Sequence, residues 1–288
     1  MEFSRESGEF SRRLTRSDLS ENTSPVGDFI TANGLDIFYR EYGQGRPLIL
    51  LHGATDTHAL WKPHIPTLSE TFRVFTPDSR GHGRTVNPDP SLSYQVLADD
   101  LAAFIQALQL EKPFVFGYSD GGQAVLDFGI RYPDLAGGLV IGGAWYKFSR
   151  AYQNAIRAAG FEEPGLVNYR VYEQNAPPDW EDRLRRAHPN RDPDYPKILL
   201  NNLASLWWTP LNYSEEDFKK ITAPTLILVG EKDEMIPLDE AREMAGLIPG
   251  AEFHVIQDAT HNAVLQAGGK AVNLVLNFLQ GFSAPKVK

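Results

Sequence analysis

The stretch that most constrains this chain is a strand-to-helix turn at residues 117–121, which reads Gly-Tyr-Ser-Asp-Gly. An apolar run, Pro113–Phe116, precedes it, and a helical pattern, Gly121–Tyr132, follows it. The glycines stand two positions before and after Ser119, where a side chain would collide with a backbone folded sharply from strand into helix. This bend lifts the hydroxyl clear of the sheet, beside the backbone N–H of Asp120 and the positive end of the helix. The pattern predicts a nucleophilic serine at a site that favours a developing oxyanion.

Two further reactive side chains follow later strands. Asp233 lies on a loop after the apolar run Pro224–Val229, and His261 comes shortly after the run Glu252–Ile256. The carboxyl ends of parallel strands meet at one edge of a sheet, where ligand sites lie. A serine hydroxyl needs a base that takes its proton and returns it to the leaving group. We therefore predict Ser119 as nucleophile, His261 as general base and acid, and Asp233 as the carboxylate that orients the imidazole.

Other acids compete with Asp233 for the orienting role. Glu231 and Glu234 flank it, and Asp258 is close to His261 in the sequence. Asp233 is favoured by its place in the loop pattern. The remaining histidines have no partnering motif, and no metal-ligand spacing is present.

A second glycine turn predicts the other half of the oxyanion site. The strand-like run Leu48–Leu51 leads into His52-Gly53-Ala54 at the same edge of the sheet. We expect a backbone N–H near Ala54 to pair with that of Asp120 and to hold the charged oxygen of a tetrahedral intermediate. His52 is expected to brace this loop rather than to react.

The overall pattern predicts an α/β fold with a mostly parallel, doubly wound sheet. Two strand-like runs flank Asn33-Gly34, a strong hairpin signal, and give the chain an antiparallel start. Short apolar runs typical of strands buried on both faces then follow: Pro47–Leu51, Phe72–Thr76, Pro113–Phe116, Gly138–Ile141, Pro224–Val229 and Glu252–Ile256. Helical patterns separate most of them, the clearest being Ser93–Leu110, Pro237–Leu247 and Lys270–Gln280. This alternation is what right-handed crossover units require.

The alternation breaks in residues 144–222, which we call the cap segment. No strand is predicted there, and prolines interrupt short helical patterns. We expect three parts: a poorly ordered N-terminal extension (1–27), an α/β core (28–143 and 223–288) and the cap segment as a helical insertion. Aromatic residues of the cap segment are candidates for an apolar substrate pocket: Trp145, Tyr146, Trp207 and Trp208. The alternative is that they only hold the cap segment to the core.

Composition narrows the functional classes. The absence of cysteine excludes disulfides, cysteine-ligated metals and thiol catalysis. A net charge of −9 argues against a nucleic-acid or anionic-membrane surface, where a basic patch would be expected. Residues 1–27 have no apolar run, so neither a secretory signal nor a membrane span is predicted there, and the cytoplasm is the default expectation. A homodimer stays open, as does whether residues 1–27 are all native.

Taken together, these motifs resemble a capped α/β-hydrolase from about residue 28 to residue 280. The resemblance is carried by His52-Gly53, the serine turn, Gly230-Glu231-Lys232-Asp233, His261 and the segment Asp78-Ser79-Arg80-Gly81-His82-Gly83-Arg84. It implies the hydrolase fold and the triad, and it implies that the segment around Arg80 and His82 is structural. The serine turn is also similar to that of the valacyclovir hydrolase or biphenyl hydrolase-like group, in which the acid after the serine helps to recognise a substrate amino group. Asp120 matches that position; the alternative is that it complements the helix N-terminus and points away.

These features lead us to expect a cofactor-independent serine hydrolase that cleaves small carboxylic esters or lactones through an acyl-enzyme. The serine argues against haloalkane dehalogenase and epoxide hydrolase relatives, which resemble this fold but have an aspartate at that position. Carbon–carbon bond hydrolysis, acyl transfer and peracid formation stay open, because they use the same triad. A ligand receptor that keeps the triad without steady turnover is a further alternative.

Overall fold

The computed structural model of the protein describes residues 27–88, 92–262, 265 and 269–282. The predicted N-terminal extension, apart from Gly27, lies outside the described residues. The described strands are β1 (Asp28–Ala32), β2 (Leu35–Tyr42), β3 (Arg46–Leu51), β4 (Phe72–Pro77), β5 (Phe114–Tyr118), β6 (Gly138–Gly142), β7 (Phe161–Glu163), β8 (Leu166–Val167), β9 (Thr225–Gly230) and β10 (Glu252–Ile256). The described helices are α1 (Ile65–Leu68), α2 (Tyr94–Ala107), α3 (Asp120–Arg131), α4 (Arg150–Ala158), α5 (Tyr169–Asn175), α6 (Trp180–Ala187), α7 (Tyr195–Trp207), α8 (Glu215–Phe218), α9 (Leu238–Leu247) and α10 (Lys270–Gln280).

Within the described residues, eight strands form one sheet in the order β1-β2-β4-β3-β5-β6-β9-β10. β2 pairs antiparallel with β1, across the turn at Asn33 and Gly34, and also with β4. From β4 to β10 all neighbouring strands run parallel. The predicted fold class, a mostly parallel doubly wound sheet with an antiparallel start, is confirmed. This order puts β5 between β3 and β6, so the turns that follow β3 and β5 are neighbours at the carboxyl edge of the sheet.

Successive side chains of the central strands enter two different apolar layers, as the period of two in a strand requires. In β3, Leu48 and Leu50 join the layer that contains Trp61 and the buried face of α10. Ile49 and Leu51 join the larger layer on the other side of the sheet, with α2 and α3. Because helices cover both faces, the central strands are apolar throughout, and polar side chains are confined to their ends.

Local residues explain where α2 begins and ends. The hydroxyl of Ser93 accepts a hydrogen bond from the backbone N–H of Val96 and caps the helix, and Gln109, with a φ of 52°, lies in the left-handed region beyond its end. The helix is therefore slightly shorter than the predicted Ser93–Leu110. No helix in the described parts of the chain is long and apolar enough to cross a membrane.

The cap segment lies between β6 and β9 and is mostly helical, with α4 to α8. It also contains an antiparallel hairpin, β7 and β8, in which Phe161 pairs with Val167. The sequence analysis predicted no strand here, and that prediction is wrong. The two strands have only 3 and 2 residues, too few to show an alternating pattern, and Gly165, with a φ of 71°, makes the turn between them.

Candidate active site

Ser119 lies at the tip of a sharp turn between β5 and α3. Its φ of 57° and ψ of −123° are rare for a residue with a side chain, and such backbone strain clusters at functional sites. The backbone N–H of Ser119 donates to the carbonyl of Gly142, at 2.8 Å. A β-carbon at Gly117 would overlap the carbonyl of Gly121, and one at Gly121 would overlap the carbonyl oxygen of Leu51. Close approach of backbone to backbone therefore requires both glycines.

The structure brings Ser119, His261 and Asp233 into one hydrogen-bonded chain. Oγ of Ser119 lies 3.0 Å from Nε2 of His261, and Nδ1 of His261 lies 2.9 Å from Oδ2 and 3.0 Å from Oδ1 of Asp233. The Asp233 side chain is fully buried, and its Oδ1 also accepts hydrogen bonds from the backbone N–H groups of Met235 at 3.0 Å and Ile236 at 2.8 Å. A fixed carboxylate favours the tautomer with the proton on Nδ1, which leaves Nε2 free to accept the serine proton.

The competing acids have other partners. Oε2 of Glu234 accepts a hydrogen bond from the backbone N–H of His261 at 3.0 Å, so it fixes the loop and not the imidazole. Asp258 forms an exposed ion pair with Lys232 at 2.6 Å, and Glu231 accepts from the backbone N–H of Asp258 at 2.9 Å. Of these four acids, Asp233 is the one whose carboxylate lies within hydrogen-bond distance of Nδ1 of His261.

The two predicted oxyanion donors lie on neighbouring turns. Asp120 is the first residue of α3, so its backbone N–H is among those that have no partner inside the helix. Gly53, which precedes Ala54, is packed against the nucleophile: a β-carbon there would lie 3.0 Å from Cβ and 3.6 Å from Oγ of Ser119. The turn is closed by a hydrogen bond from the backbone N–H of Asp56 to the carbonyl of Ala54, at 2.8 Å. Both turns therefore flank the serine hydroxyl.

His52 braces the Gly53 turn. Its Nδ1 lies 2.8 Å from the carbonyl oxygen of Gly53 and its Nε2 lies 2.9 Å from the backbone N–H of Ser79. Burial lowers the pKa of His52 to about 4, so the ring is neutral near pH 7, with Nδ1 as donor and Nε2 as acceptor. Both ring nitrogens are used by the backbone, as expected for a structural role.

The segment after β4 is also structural. Arg80 forms a bidentate ion pair with Asp100 at 2.8 and 2.7 Å, and both side chains are buried. Oδ1 of Asp78 lies 2.8 Å from Nδ1 of His58. These contacts tie the loop after β4 to α2 and to a short 3-10 helix, His58–Trp61.

A cavity of about 940 Å³ opens between the carboxyl edge of the sheet and the cap segment. Ser119, Asp120, Ala54 and His261 lie in its walls. Side chains of the cap segment form the opposite wall: Trp145, Tyr152, Ala155, Ala158, Ala159, Phe161, Tyr172, Asn175 and Trp207. The wall is mostly apolar, which is typical of a small-molecule site.

Two of the four aromatic residues predicted for the pocket are elsewhere. Trp145 and Trp207 line the cavity, whereas Tyr146 and Trp208 do not. Tyr146 is buried edge-on against Phe218. Trp208 donates from Nε1 to the carbonyl of Phe161 at 3.0 Å and so holds the cap segment together. Neighbouring residues in a chain point in different directions, and composition alone could not tell which one of each pair faces inward.

The described walls of the cavity carry acidic side chains and neither lysine nor arginine. Asp56, Asp120 and Glu234 are in its walls, and no lysine or arginine is among the described residues that line it. The adjoining residues 263–268, which read Ala-Val-Leu-Gln-Ala-Gly, contain no basic residue either. Desolvation by the walls raises the pKa of Asp56 and that of Asp120 to about 6, so both are largely ionised near pH 7.

Asp120 neither points away from the site nor stands free in it. Its Oδ1 accepts hydrogen bonds from the hydroxyl of Tyr94 at 2.7 Å and from Nε1 of Trp207 at 2.9 Å, and its Oδ2 lies 3.1 Å from the same Nε1. Tyr94 belongs to α2 of the core and Trp207 to α7 of the cap segment. The carboxylate next to the nucleophile therefore joins the two parts of the molecule.

Sequence reasoning missed several residues of the site. Tyr94 and His188 have no motif, and their contacts depend on packing between distant segments. His188, at the end of α6, is 1% exposed and reaches the carbonyl of Thr55 on the Gly53 turn at 3.0 Å. Asp56 had an available signal, because it follows Ala54 by two residues.

Comparison with known proteins agrees with this architecture. The model of the alpha/beta hydrolase family matches residues 48–273 of this chain. A 2-hydroxy-6-oxo-2,4-heptadienoate hydrolase from Pseudomonas putida is 29% identical over 88% of this chain and 96% of its own length. A 2-hydroxymuconate semialdehyde hydrolase from a Pseudomonas species is 26% identical over 90% of this chain and 95% of its own length.

Solved structures of other hydrolases have a similar fold. A thermophilic esterase from Thermogutta terrifontis superposes with a TM-score of 0.70 at 25% identity, covering 91% of this chain and 100% of that chain. The enol-lactonase from Burkholderia xenovorans superposes with a TM-score of 0.68 at 20% identity, over 88% of this chain and 99% of that chain, and this likeness concerns the fold alone. The finer similarity of the serine turn to the valacyclovir hydrolase group stays a prediction.

Proposed function

The chain belongs to the alpha/beta hydrolase family, and we propose that it is a serine hydrolase that cleaves small, neutral or cationic carboxylic esters or lactones through an acyl-enzyme. The observation that carries this proposal is the hydrogen-bonded chain from Ser119 through His261 to Asp233, opening into a cavity that has acids but no lysine or arginine among its described walls. The cap segment would select the substrate, since it supplies one wall of that cavity.

The proposed reaction follows from the contacts of His261. Nε2 takes the proton from Oγ of Ser119 while Oγ forms a bond to the ester carbonyl carbon, and the carbonyl electrons move to the oxygen. The backbone N–H groups of Ala54 and Asp120 would hold this oxyanion. Collapse of the tetrahedral intermediate breaks the bond to the alcohol, which receives the proton from Nε2. Water then enters, gives its proton to Nε2 and attacks the acyl carbon, and Ser119 leaves with that proton.

Charge supports neutral or cationic substrates. A carboxylate on the substrate would meet the negative charges of Asp56, Asp120 and Glu234 in a partly desolvated space, with no lysine or arginine among the described lining residues to pair with it. An uncharged acyl group meets no such repulsion, and an ammonium group would be attracted. The proposal therefore extends to lactones and to amino-acid esters and disfavours substrates that are anions.

Carbon–carbon bond hydrolysis is the second candidate. The observation in its favour is that curated relatives of similar length are named hydrolases of 2-hydroxy-6-oxo-dienoates. A dienoate carries a carboxylate, and no lysine or arginine is among the described lining residues to pair with it. We therefore rank this reaction below ester hydrolysis.

A charge-matched substrate series tests the proposal. The p-nitrophenyl monoesters of heptanoic acid, of 6-aminohexanoic acid and of hexanedioic acid share a leaving group and differ mainly in the charge at the far end of the acyl chain. Their end groups are too distant to close a five-membered ring, so p-nitrophenol is not released by rapid internal attack. We expect steady turnover of the first two, with kcat/KM at least about tenfold above that of the anionic ester. Ser119→Ala should lose about a thousandfold or more.

Three results would overturn the proposal. Preference for the anionic ester, or turnover of a 2-hydroxy-6-oxo-dienoate without turnover of neutral esters and lactones, would favour the carbon–carbon hydrolase. A single slow turnover accompanied by a ligand-dependent rise in Tm would favour the receptor, whereas steady multiple turnover excludes it.

A further inference from the structure

Two side chains of the cap segment hydrogen-bond to the two turns that carry the predicted oxyanion donors. Nε1 of Trp207 donates to the carboxylate of Asp120, and Nε2 of His188 lies 3.0 Å from the carbonyl oxygen of Thr55, next to Ala54. The two donors come from separate parts of the core, the turn after β3 and the start of α3. A cap side chain therefore contacts each side of the same hole.

The contact on the α3 side is short and partly buried. Asp120 receives the indole N–H of Trp207 at 2.9 Å and the hydroxyl of Tyr94 at 2.7 Å. The ring of Trp207 packs at 4.4 Å against that of Phe161 in the cap hairpin, which fixes its direction. The carboxylate and the predicted donor N–H belong to the same residue, so the contacts of Trp207 and Tyr94 restrict the positions that this residue can adopt.

The contact on the β3 side uses a neutral imidazole. Nδ1 of His188 accepts from the backbone N–H of Gly83 at 2.8 Å, so the proton is on Nε2, which donates to Thr55. Thr55 lies inside the turn that the Asp56-to-Ala54 hydrogen bond closes. His188 therefore ties this turn both to the loop after β4 and to the cap segment.

We propose that Trp207 and His188 are positioning residues that set the spacing of the two oxyanion donors, so that the hole is complete only when the cap segment is docked. This inference rests on the proposed function. Oxyanion donors act when they are about 2.7–3.1 Å from the oxygen, and a misplacement of about 1 Å can cost on the order of a hundredfold in rate. Trp207 and His188 lie at the ends of α7 and α6, so a shift of this one region displaces both contacts.

The chain provides a matched pair of variants. Trp207→Phe keeps an aromatic ring in the cavity wall and removes the N–H that reaches Asp120. Trp208→Phe removes the same N–H from the next residue, whose partner, the carbonyl of Phe161, lies inside the cap segment. The pair separates a contact between the cap segment and the oxyanion turn from one within the cap segment.

The readout is the reaction of the serine itself. We would measure kcat and KM for a neutral p-nitrophenyl ester, the rate of labelling by a small fluorophosphonate, and Tm. Labelling also passes through a charged oxygen, so it reports on the hole without a need for the natural substrate. We expect Trp207→Phe to lower kcat and the labelling rate together by about tenfold with KM nearly unchanged, and Trp208→Phe to change each by less than about twofold.

His188 gives an independent check. His188→Ala should show the same joint loss, and His188→Gln should restore part of it, because the glutamine amide offers both a donor group and an acceptor group. A merely structural role would lower Tm and the amount of active protein but leave kcat per labelled serine unchanged.

The outcomes separate the two proposals. If the unmodified protein neither hydrolyses esters nor reacts with the fluorophosphonate, the proposed function fails. If it reacts and Trp207→Phe behaves like Trp208→Phe, or if Trp207→Phe changes KM alone, the positioning role is wrong. If His188→Gln reacts no faster than His188→Ala, the positioning role of His188 is wrong.

Discussion

The core and the cap segment contribute to the candidate site in different ways. Each member of the proposed triad lies within a few residues of the end of a strand, after β5, β9 or β10, and the sheet fixes where those ends meet. The cap segment contributes no member of the triad. It supplies a wall of the cavity and reaches the core through a few hydrogen bonds, such as that from Trp207 to Asp120.

This difference between the core and the cap segment indicates that the reaction and the choice of substrate depend on separate parts of the molecule. In the core, backbone geometry places the reactive atoms, so changes there should remove activity or stability outright. In the cap segment, side-chain packing between distant helices sets shape and charge, so changes there should shift rates and preferences by smaller factors. Three predictions, in order of decreasing effect, test this division.

The largest effect is expected at Asp233, whose carboxylate holds Nδ1 of His261. Asp233→Asn keeps the shape but favours the wrong imidazole tautomer, so kcat/KM for a neutral ester should fall by about 10⁴-fold. Its control is Asp258→Asn, which removes a neighbouring but exposed charge paired with Lys232 and should change the rate by less than about twofold.

A loss at Asp233 no larger than that at Asp258 would mean that another acid orients the imidazole. Glu234, already bonded to the backbone of His261, would then be the first to test, by Glu234→Gln.

The next prediction compares one glycine from each region. Gly117→Ala places a β-carbon against the carbonyl of Gly121, and rigid backbone cannot yield, so we expect a loss of about 2 to 4 kcal/mol in the free energy of unfolding. Gly165→Ala in the cap hairpin meets only the flexible Ser205 hydroxyl, at 3.3 Å, and has the cost of a left-handed φ, about 1 kcal/mol.

Urea unfolding followed by circular dichroism measures both variants. Equal losses of unfolding free energy would show that the turn at Gly117 is no more constrained than the cap hairpin. The proposed difference between the core and the cap segment would then be wrong.

The difference between the core and the cap segment also explains which features could be predicted from the sequence. The central strands, the serine turn and the pairing of Asp233 with His261 were predictable, because each depends on a local pattern and on the rule that parallel strands end at one edge. The β7–β8 hairpin was missed because it is too short to show a period. Trp207 and Trp208 could not be told apart because helix packing decides which indole faces the cavity.

The contacts of Asp120 are the clearest example of what the sequence could not predict. Its position after Ser119 suggested a role, yet its partners Tyr94 and Trp207 come from helices far away in the sequence. No local pattern encodes such a contact. The grouping of acids in the cavity was equally hidden, because Asp56, Asp120 and Glu234 come from three separate places: the turn after β3, the start of α3 and the loop after β9.

The smallest effect concerns Asp120, where core and cap meet. Burial, more than any other cause, raises its pKa from the ordinary 3.8 to about 6, while hydrogen bonds from Tyr94 and Trp207 oppose the rise. The folded protein therefore holds this proton to higher pH than the unfolded chain does, and its stability falls as pH rises from about 4 through about 6. Asp120→Asn cannot titrate, so relative to the unmodified protein it should gain up to about 2 kcal/mol of unfolding free energy between pH 4 and pH 8.

The pH dependence of this difference is the informative quantity. Asparagine also presents an amide N–H₂ to the donors of Tyr94 and Trp207. That mismatch lowers the unfolding free energy by a similar amount at every pH, so it does not change how the free energy depends on pH. Urea unfolding of both proteins at several pH values separates the two effects. A difference that stays constant from pH 4 to pH 8 would mean that folding leaves the pKa of Asp120 unchanged, because the hydrogen bonds from Tyr94 and Trp207 then stabilise the carboxylate enough to offset its burial.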